Sequence, residues 1–163
     1  MHFGGNMKIR RANSGDVENL LELLRQVQAI HADGRPDIFK AGTNKYDRQD
    51  VIGILSNEQT PVYVAVDECN AAVGYAFCAI KEQKDSSNLK AIKNFYIEDL
   101  CVHQNQRGKG IGKRLYEFCI NKAKELDCYH LTLNVWHLNE SAVRFYEKLG
   151  MKPLKTTMEQ ILQ

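Results

Sequence analysis

The sequence has no apolar run approaching the eighteen or so residues of a membrane-spanning helix, and no signal-peptide pattern opens it. It also has no strong charge of either sign. Lys and Arg number 22 against 20 Asp and Glu, a formal net charge of +2, too mild to argue for nucleic acid. Its five cysteines (Cys69, Cys78, Cys101, Cys119 and Cys128) form no Cys-x-x-Cys pair, and its five histidines include no pair at ligand spacing. Neither a disulfide framework nor a structural metal is expected, and reduced, mostly buried thiols in a cytoplasmic protein fit best. Internal repeats, linkers and low-complexity stretches are absent. With 163 residues, of which 44% are hydrophobic, one domain large enough for its own core is expected over residues 7–163. Residues 1–6 read as a leader or expression remnant ahead of a second methionine, Met7.

Periodicity supplies the elements. Lys8 to Arg11 is a short strand candidate. Asn13 or Ser14 can cap a helix whose apolar face is Val17, Leu20, Leu21, Leu24 and Val27, and Gly34-Arg35-Pro36 stops it. Asp37 to Lys45 is a loop, after which Asp47 caps a second helix carrying Val51, Ile52 and Leu55. Val62–Val66 and Ala72–Ile80 read as a hairpin with Gly74 at a bulge, and the polar Lys81–Leu89 stretch as a solvated connection. Phe95–Val102 is a strand with little alternation, so cover on both faces is expected. Its period puts Tyr96, Glu98, Leu100 and Val102 on one side, and Phe95, Ile97, Asp99 and Cys101 on the other. Glu98 and Asp99 thus point to opposite faces of a mostly apolar strand, which is costly unless one is paired, solvated or used.

A helix follows with Ile111, Leu115, Phe118, Cys119 and Leu126 inward. Tyr129–Trp136 is a strand with Leu131, Leu133 and Val135 on its core side. Asn139 caps a last helix whose stripe is Ala142, Phe145, Tyr146 and Leu149, and Gly150 ends it. Met151–Ile161 reads as a closing strand with Pro153 at its edge. Hairpins mixed with helical crossovers imply an α+β or mixed-sheet α/β domain.

The chemistry gathers at Asn105-Gln106-Arg107-Gly108-Lys109-Gly110-Ile111-Gly112-Lys113, between a strand and a helix. Glycines there let the backbone approach an anion, and the first helical N–H groups have no intrahelical partners. The plainer alternative is a tight turn with a solvated basic face. No window supplies the P-loop pattern of Gly, four residues, then Gly-Lys-Ser or Gly-Lys-Thr. The dinucleotide pattern Gly-x-Gly-x-x-Gly fails as well, because its third glycine falls on Lys113 or Leu115.

What fits is Arg107-x-x-Gly110-x-Gly112, which resembles the acetyl-coenzyme A loop of the GNAT superfamily of N-acetyltransferases. The strand Ile97-Glu98-Asp99-Leu100-Cys101-Val102, the Asn139 to Tyr146 helix and the ending Lys148-Leu149-Gly150-Met151 fall in that family's order. The strand looks most like diamine acetyltransferases. The resemblance covers residues 95 to 153; the first half agrees only in element order. It implies a central mixed, mostly antiparallel sheet flanked by helices on both faces, and acetyl-CoA as cosubstrate.

Residue by residue, the resemblance implies that Arg107, Gly108, Lys109, Gly110, Ile111, Gly112 and Lys113 hold the pyrophosphate. Leu100, Cys101 and Val102 would offer main-chain groups to the pantetheine and acetyl oxygen, and Asn139 would bond the pantetheine arm. Tyr146, also near the cofactor, would protonate the departing thiolate, and Glu98 would take the proton of the attacking amine. Asp99 is the second choice as base. Cys101 raises a covalent alternative, but no histidine is placed to activate it.

The expected reaction is acetyl transfer to a primary amine of a polyamine, amino acid or aminoglycoside-like molecule, by direct attack in a ternary complex. A protein or peptide amino group is the alternative acceptor, and a non-catalytic acyl-CoA sensor the alternative function. No metal, nucleic acid or membrane partner is expected; a homodimer is allowed.

Overall fold

The computed structural model describes residues 7–163; the leader reading of residues 1–6 lies outside the described residues. Five strands form one sheet in the order β1 (Lys8–Arg11), β2 (Val62–Val66), β3 (Ala72–Gln83), β4 (Ile92–Val102) and β5 (His130–Leu133). The first three pairings are antiparallel and β4 with β5 is parallel. Helices α1 (Val17–Gly34) and α2 (Arg48–Ser56) cover one face; α3 (Ile111–Glu125) and α4 (Glu140–Lys148) cover the other. This is the expected mixed, mostly antiparallel sheet between helical layers.

Double cover explains the strand sequences. All of β2 is buried, with Val62, Val64 and Val66 meeting Leu20, Leu23 and Leu24 of α1, while Tyr63 joins Tyr116 and Cys119 of α3. Each such apolar side chain contributes about 1.5–3 kcal/mol on burial. The β2–β3 register skips Val73, which makes it the extra residue of a bulge; Gly74 lies beside it. A Cβ on Gly74 would stand 3.0 Å from the Cys101 carbonyl oxygen, so the glycine is required by that close approach.

The first helix is tied to the sheet by charge. Asn13 and Asp16 form a capping box over the short turn Ser14–Asp16 that leads into α1. Arg10 donates to both Asp16 oxygens at 2.7 and 2.9 Å. Burial alone would raise the Asp16 pKa, but these bonds outweigh it and hold the carboxyl below its usual value. Asp47 caps α2 with a second box, completed by Asp50.

Three expectations about the extent of the elements fail. The closing strand over Met151–Ile161 does not form; that segment has no regular structure, and Leu154, Met158, Ile161 and Leu162 stand exposed. Their spacing lacks the two-residue alternation that would give a strand one apolar face. The strand expected over Tyr129–Trp136 is only His130–Leu133, and Val135 is exposed. Trp136 turns out of the sheet to meet Phe39, ring centroids 5.5 Å apart, and the Arg35 guanidinium. Leu126, assigned to the inner face of α3, lies beyond its last turn and is exposed.

Candidate active site

Two events on β4 open the site. Phe77 faces Asp99 while Cys78 faces Ile97, so Glu98 is the extra residue of a bulge. The parallel pairing with β5 runs from Asn94 to Ile97 and stops there. From Glu98 to Val102, the β4 edge that faced β5 has no strand beside it among the described residues. The bulge in β4 falls just where that pairing ends.

The bulge also overturns the expectation for the two acids. An extra residue shifts the strand alternation by one. Phe95 and Ile97 pack under α3, and Leu100 and Val102 pack against Ile111 and Leu115 on that same side. Glu98 and Asp99 both face the α1–α2 layer. The Tyr46 hydroxyl donates to Glu98 Oε2 at 3.3 Å, and the buried Tyr75 hydroxyl donates to Asp99 Oδ2 at 2.8 Å. Lys45 Nζ lies 3.6 Å from Glu98 Oε2. Glu98 is the more open of the two; burial raises the Asp99 pKa, against the pull of the Tyr75 hydroxyl and the Lys45 charge.

Beyond β4 the chain turns through Gln104–Gln106 into the glycine loop. His103 accepts from the Asn105 N–H through Nδ1 at 3.2 Å and so caps this turn. Arg107 Nε donates to the Val102 carbonyl at 3.1 Å, folding the loop back on the strand end. Gly108 and Gly110 have φ of +77° and +76°, where an L residue is strained by about 1–2 kcal/mol. Gly112 is needed for another reason: a Cβ there would meet the Phe145 ring at 3.3 Å. Its bareness lets α4 pack on the first turn of α3.

The α3 cap is Gly110, which has no side chain, so the first-turn N–H groups of Ile111, Gly112 and Lys113 lack both intrahelical partners and a side-chain cap. They border a groove of about 270 Å³, whose walls include Leu100, Val102, Arg107 and Phe145. Lys113 lines it and lies 3.7 Å from Glu117, while Lys109 of the same loop donates to Gln106 Oε1 at 2.8 Å. The Cys101 side chain turns away from the groove into the α1 layer. Burial pushes its thiol up to about 12.

Across the groove, Asn139 Oδ1 accepts the Ala142 N–H at 3.2 Å and caps α4. Tyr146 lies on the inner stripe of that helix, half-buried beside Phe145 and Tyr116 at centroid distances of 5.0 and 6.3 Å. Burial first, then the negative charge of Asp99, push its hydroxyl well above the usual tyrosine range. The phenol therefore keeps its proton at neutral pH.

The structure thus gathers Leu100, Val102, Arg107, the three glycines and Lys113 round one groove, with Glu98 and Asp99 on the opposite side of β4. Sequence reasoning did not single out Lys45, Tyr46 or Tyr75. Lys45 and Tyr46 precede the recognisable Asp47 cap, but nothing in their spacing links them to Glu98.

The unpaired end of β4, fourth of the five strands, thus runs into an uncapped glycine-rich helix start. The sequence profile of the acetyltransferase (GNAT) family matches residues 24–151, and the chain belongs to that family. It is 28% identical over 147 residues to the peptidyl-lysine N-acetyltransferase YjaB of Escherichia coli, covering 90% of this chain and 82% of that protein. The thialysine N-epsilon-acetyltransferase of Bos taurus is 27% identical over 160 residues, covering 90% and 84%. A tetramutant of the BH1408 protein from Bacillus halodurans superposes with a TM-score of 0.91 at 32% identity, over 95% of this chain and 99% of that one. The protein is an acyltransferase.

Proposed function

We propose that this protein moves an acetyl group from acetyl-CoA to a primary amine at the end of a lysine-like alkyl chain, by direct attack in a ternary complex. The observation that carries this reading is the open β4 edge running into the uncapped start of α3. A phosphate-bearing thioester needs main-chain groups for its amide arm and N–H donors for its pyrophosphate, and this groove offers both in line. The glycines fit the same demand, two by conformation and one by the close packing of α4.

In this reading Gly108 to Lys113 supply backbone donors, and Arg107, Lys109 and Lys113 add positive charge to that of the helix terminus. Main-chain groups of Leu100, Cys101 and Val102 hold the pantetheine amides and the acetyl oxygen. Asn139 bonds the pantetheine arm through its amide nitrogen, since its oxygen already caps α4. Tyr146 delivers a proton to the departing thiolate. The phenol is protonated at neutral pH, and the developing thiolate draws that proton from a hydroxyl that burial has made a weaker acid.

An alkylamine is mostly protonated at neutral pH, its unperturbed pKa being about 10.4. Glu98 takes up that proton, directly or through water. Asp99, now on the same side of the strand, acts beside it through its bond from Tyr75. A covalent acetyl-cysteine step at Cys101 is disfavoured, because a buried thiol with a pKa near 12 offers little thiolate.

The acceptor class rests on the two curated relatives, whose names specify peptidyl-lysine and thialysine. Both carry a primary amine on a lysine-shaped side chain, which suits the Glu98, Tyr46 and Asp99 cluster. A panel of Nα-blocked lysine, a lysine-containing peptide, a polyamine, an amino acid and an aminoglycoside tests it by CoA release and product mass. Fastest turnover is expected on the lysine-shaped amines; turnover on the aminoglycoside alone overturns that acceptor class.

A further inference from the structure

The acceptor side of the site already contains a primary amine. Lys45 lies in the α1–α2 connection between two anchors: Asn44 Nδ2 donates to the Leu21 carbonyl of α1 at 3.3 Å, and Asp47 begins the capping box of α2. Its side chain runs over the Tyr46 ring, Nζ 5.0 Å from the centroid, and ends 3.6 Å from Glu98 Oε2. Tyr46 is itself fixed, stacked on Phe77 at 5.8 Å with its hydroxyl donating to the same Glu98 oxygen. An aromatic face, a carboxylate and a hydroxyl around one ammonium make a seat for an alkylamine. Glu98 is the first β4 residue past the end of pairing with β5, so this seat adjoins the start of the unpaired β4 edge.

We propose that Lys45 is the protein's own acetylation site: its ε-amine occupies the seat of the acceptor amine and receives an acetyl group in cis. The inference rests on the acetyl-CoA reaction proposed above. Lys45 gives one proton of its ammonium to Glu98, and the neutral nitrogen forms a bond to the acetyl carbonyl carbon. The thioester C–S bond breaks, sulfur leaves with the electron pair, and it takes a proton from Tyr146, which is restored by the second proton that the nitrogen sheds. The balance is one amide, one CoA thiol and one released proton. The amide cannot diffuse from the seat, and it leaves Glu98 without its cation. Self-acetylation therefore limits access of other amines.

Other lysines provide the comparison. Lys81 Nζ lies over the Tyr96 ring at 3.4 Å but makes no ion pair among the described residues, and Lys40 and Lys84 are exposed on loops. The test incubates the full chain with acetyl-CoA over a dilution series and follows each lysine by peptide mass spectrometry. Lys45 is expected to gain an acetyl group at a rate independent of protein concentration, at least about tenfold faster than Lys40 or Lys84. Glu98→Gln is expected to remove that advantage while the slow background at Lys40 persists.

Acetylation of Lys45 no faster than that of Lys40, or at a rate proportional to protein concentration, overturns the proposal. Turnover on the amine panel without Lys45 acetylation refutes this inference alone. No turnover and no acetyl-CoA binding refutes the proposed function with it.

Discussion

The two sides of β4 are built from different materials. On the α3 side the groove is largely main chain: an unpaired strand edge, uncapped N–H groups and three glycines, with Arg107 and Lys113 the charged residues of its lining. On the α1–α2 side the site consists of side chains from separate stretches, Lys45 and Tyr46 meeting Glu98, and Tyr75 meeting Asp99. Backbone geometry suits one invariant cosubstrate, whereas a side-chain cluster can be altered residue by residue to fit a different amine. Variants on the two sides should therefore separate cleanly, donor-side ones in acetyl-CoA affinity and acceptor-side ones in the use of the amine.

The largest effect is expected where the two sides meet, at Tyr146. Tyr146→Phe removes the proton donor but keeps the ring packed on Phe145 and Tyr116, so kcat should fall about a hundredfold with acetyl-CoA affinity unchanged. Stopped-flow measurement of the chemical step checks it; unaltered chemistry removes Tyr146 from the mechanism. Gly110→Val comes next. A β-branched residue at φ +76° moves the helix start, and calorimetry should register acetyl-CoA binding weaker by about thirtyfold. Wild-type affinity there would show that the anion does not depend on this backbone.

The bulge is what the sequence could not announce. Strand periodicity assigned Glu98 and Asp99 to opposite faces, and one extra residue put both on the acceptor side. A bulge follows from the pairing of β3 with β4, which a single strand's letters do not carry. The donor loop was legible because its signal is local: Arg107, Gly108, Gly110 and Gly112 act on their own backbone and on the helix they start. Most elements were legible for the same reason, with Asp47, Asn139 and Gly150 marking helix ends. The tail after Met151 is not a strand because the uneven spacing of Leu154, Met158 and Ile161 gives no apolar face at a two-residue period, and an edge proline at Pro153 does not supply one. Lys45 stayed hidden because its partner is distant in sequence.

Smaller perturbations sharpen the contrast. Glu98→Gln should lower kcat/KM for the amine about tenfold without touching acetyl-CoA affinity, less than Tyr146→Phe because water reaches this open carboxylate. A matching loss of acetyl-CoA affinity would place Glu98 on the donor side instead. Gly112→Ala pushes a methyl against the Phe145 ring at 3.3 Å, which that ring meets by a small shift, so a roughly threefold loss of acetyl-CoA affinity is expected. No change in acetyl-CoA affinity would mean that α4 and the groove are uncoupled.

The smallest effect concerns Asp99 and pH. Its folded pKa lies above the unfolded value, so the native state binds more protons in that window and stability falls as pH rises through it. Asp99→Asn lacks that fall. Urea titrations at pH 4 and pH 7 should therefore show the variant gaining on the wild type at the higher pH. A gain at the lower pH instead would mean that the carboxylate is stabilised by folding.

The most direct test of the account is the mass of the amine product formed from acetyl-CoA and Nα-blocked lysine, with CoA release followed in parallel. The account predicts one Nε-acetyl group on the lysine for each CoA released. Binding of acetyl-CoA with no acetylated amine anywhere in the panel would contradict it.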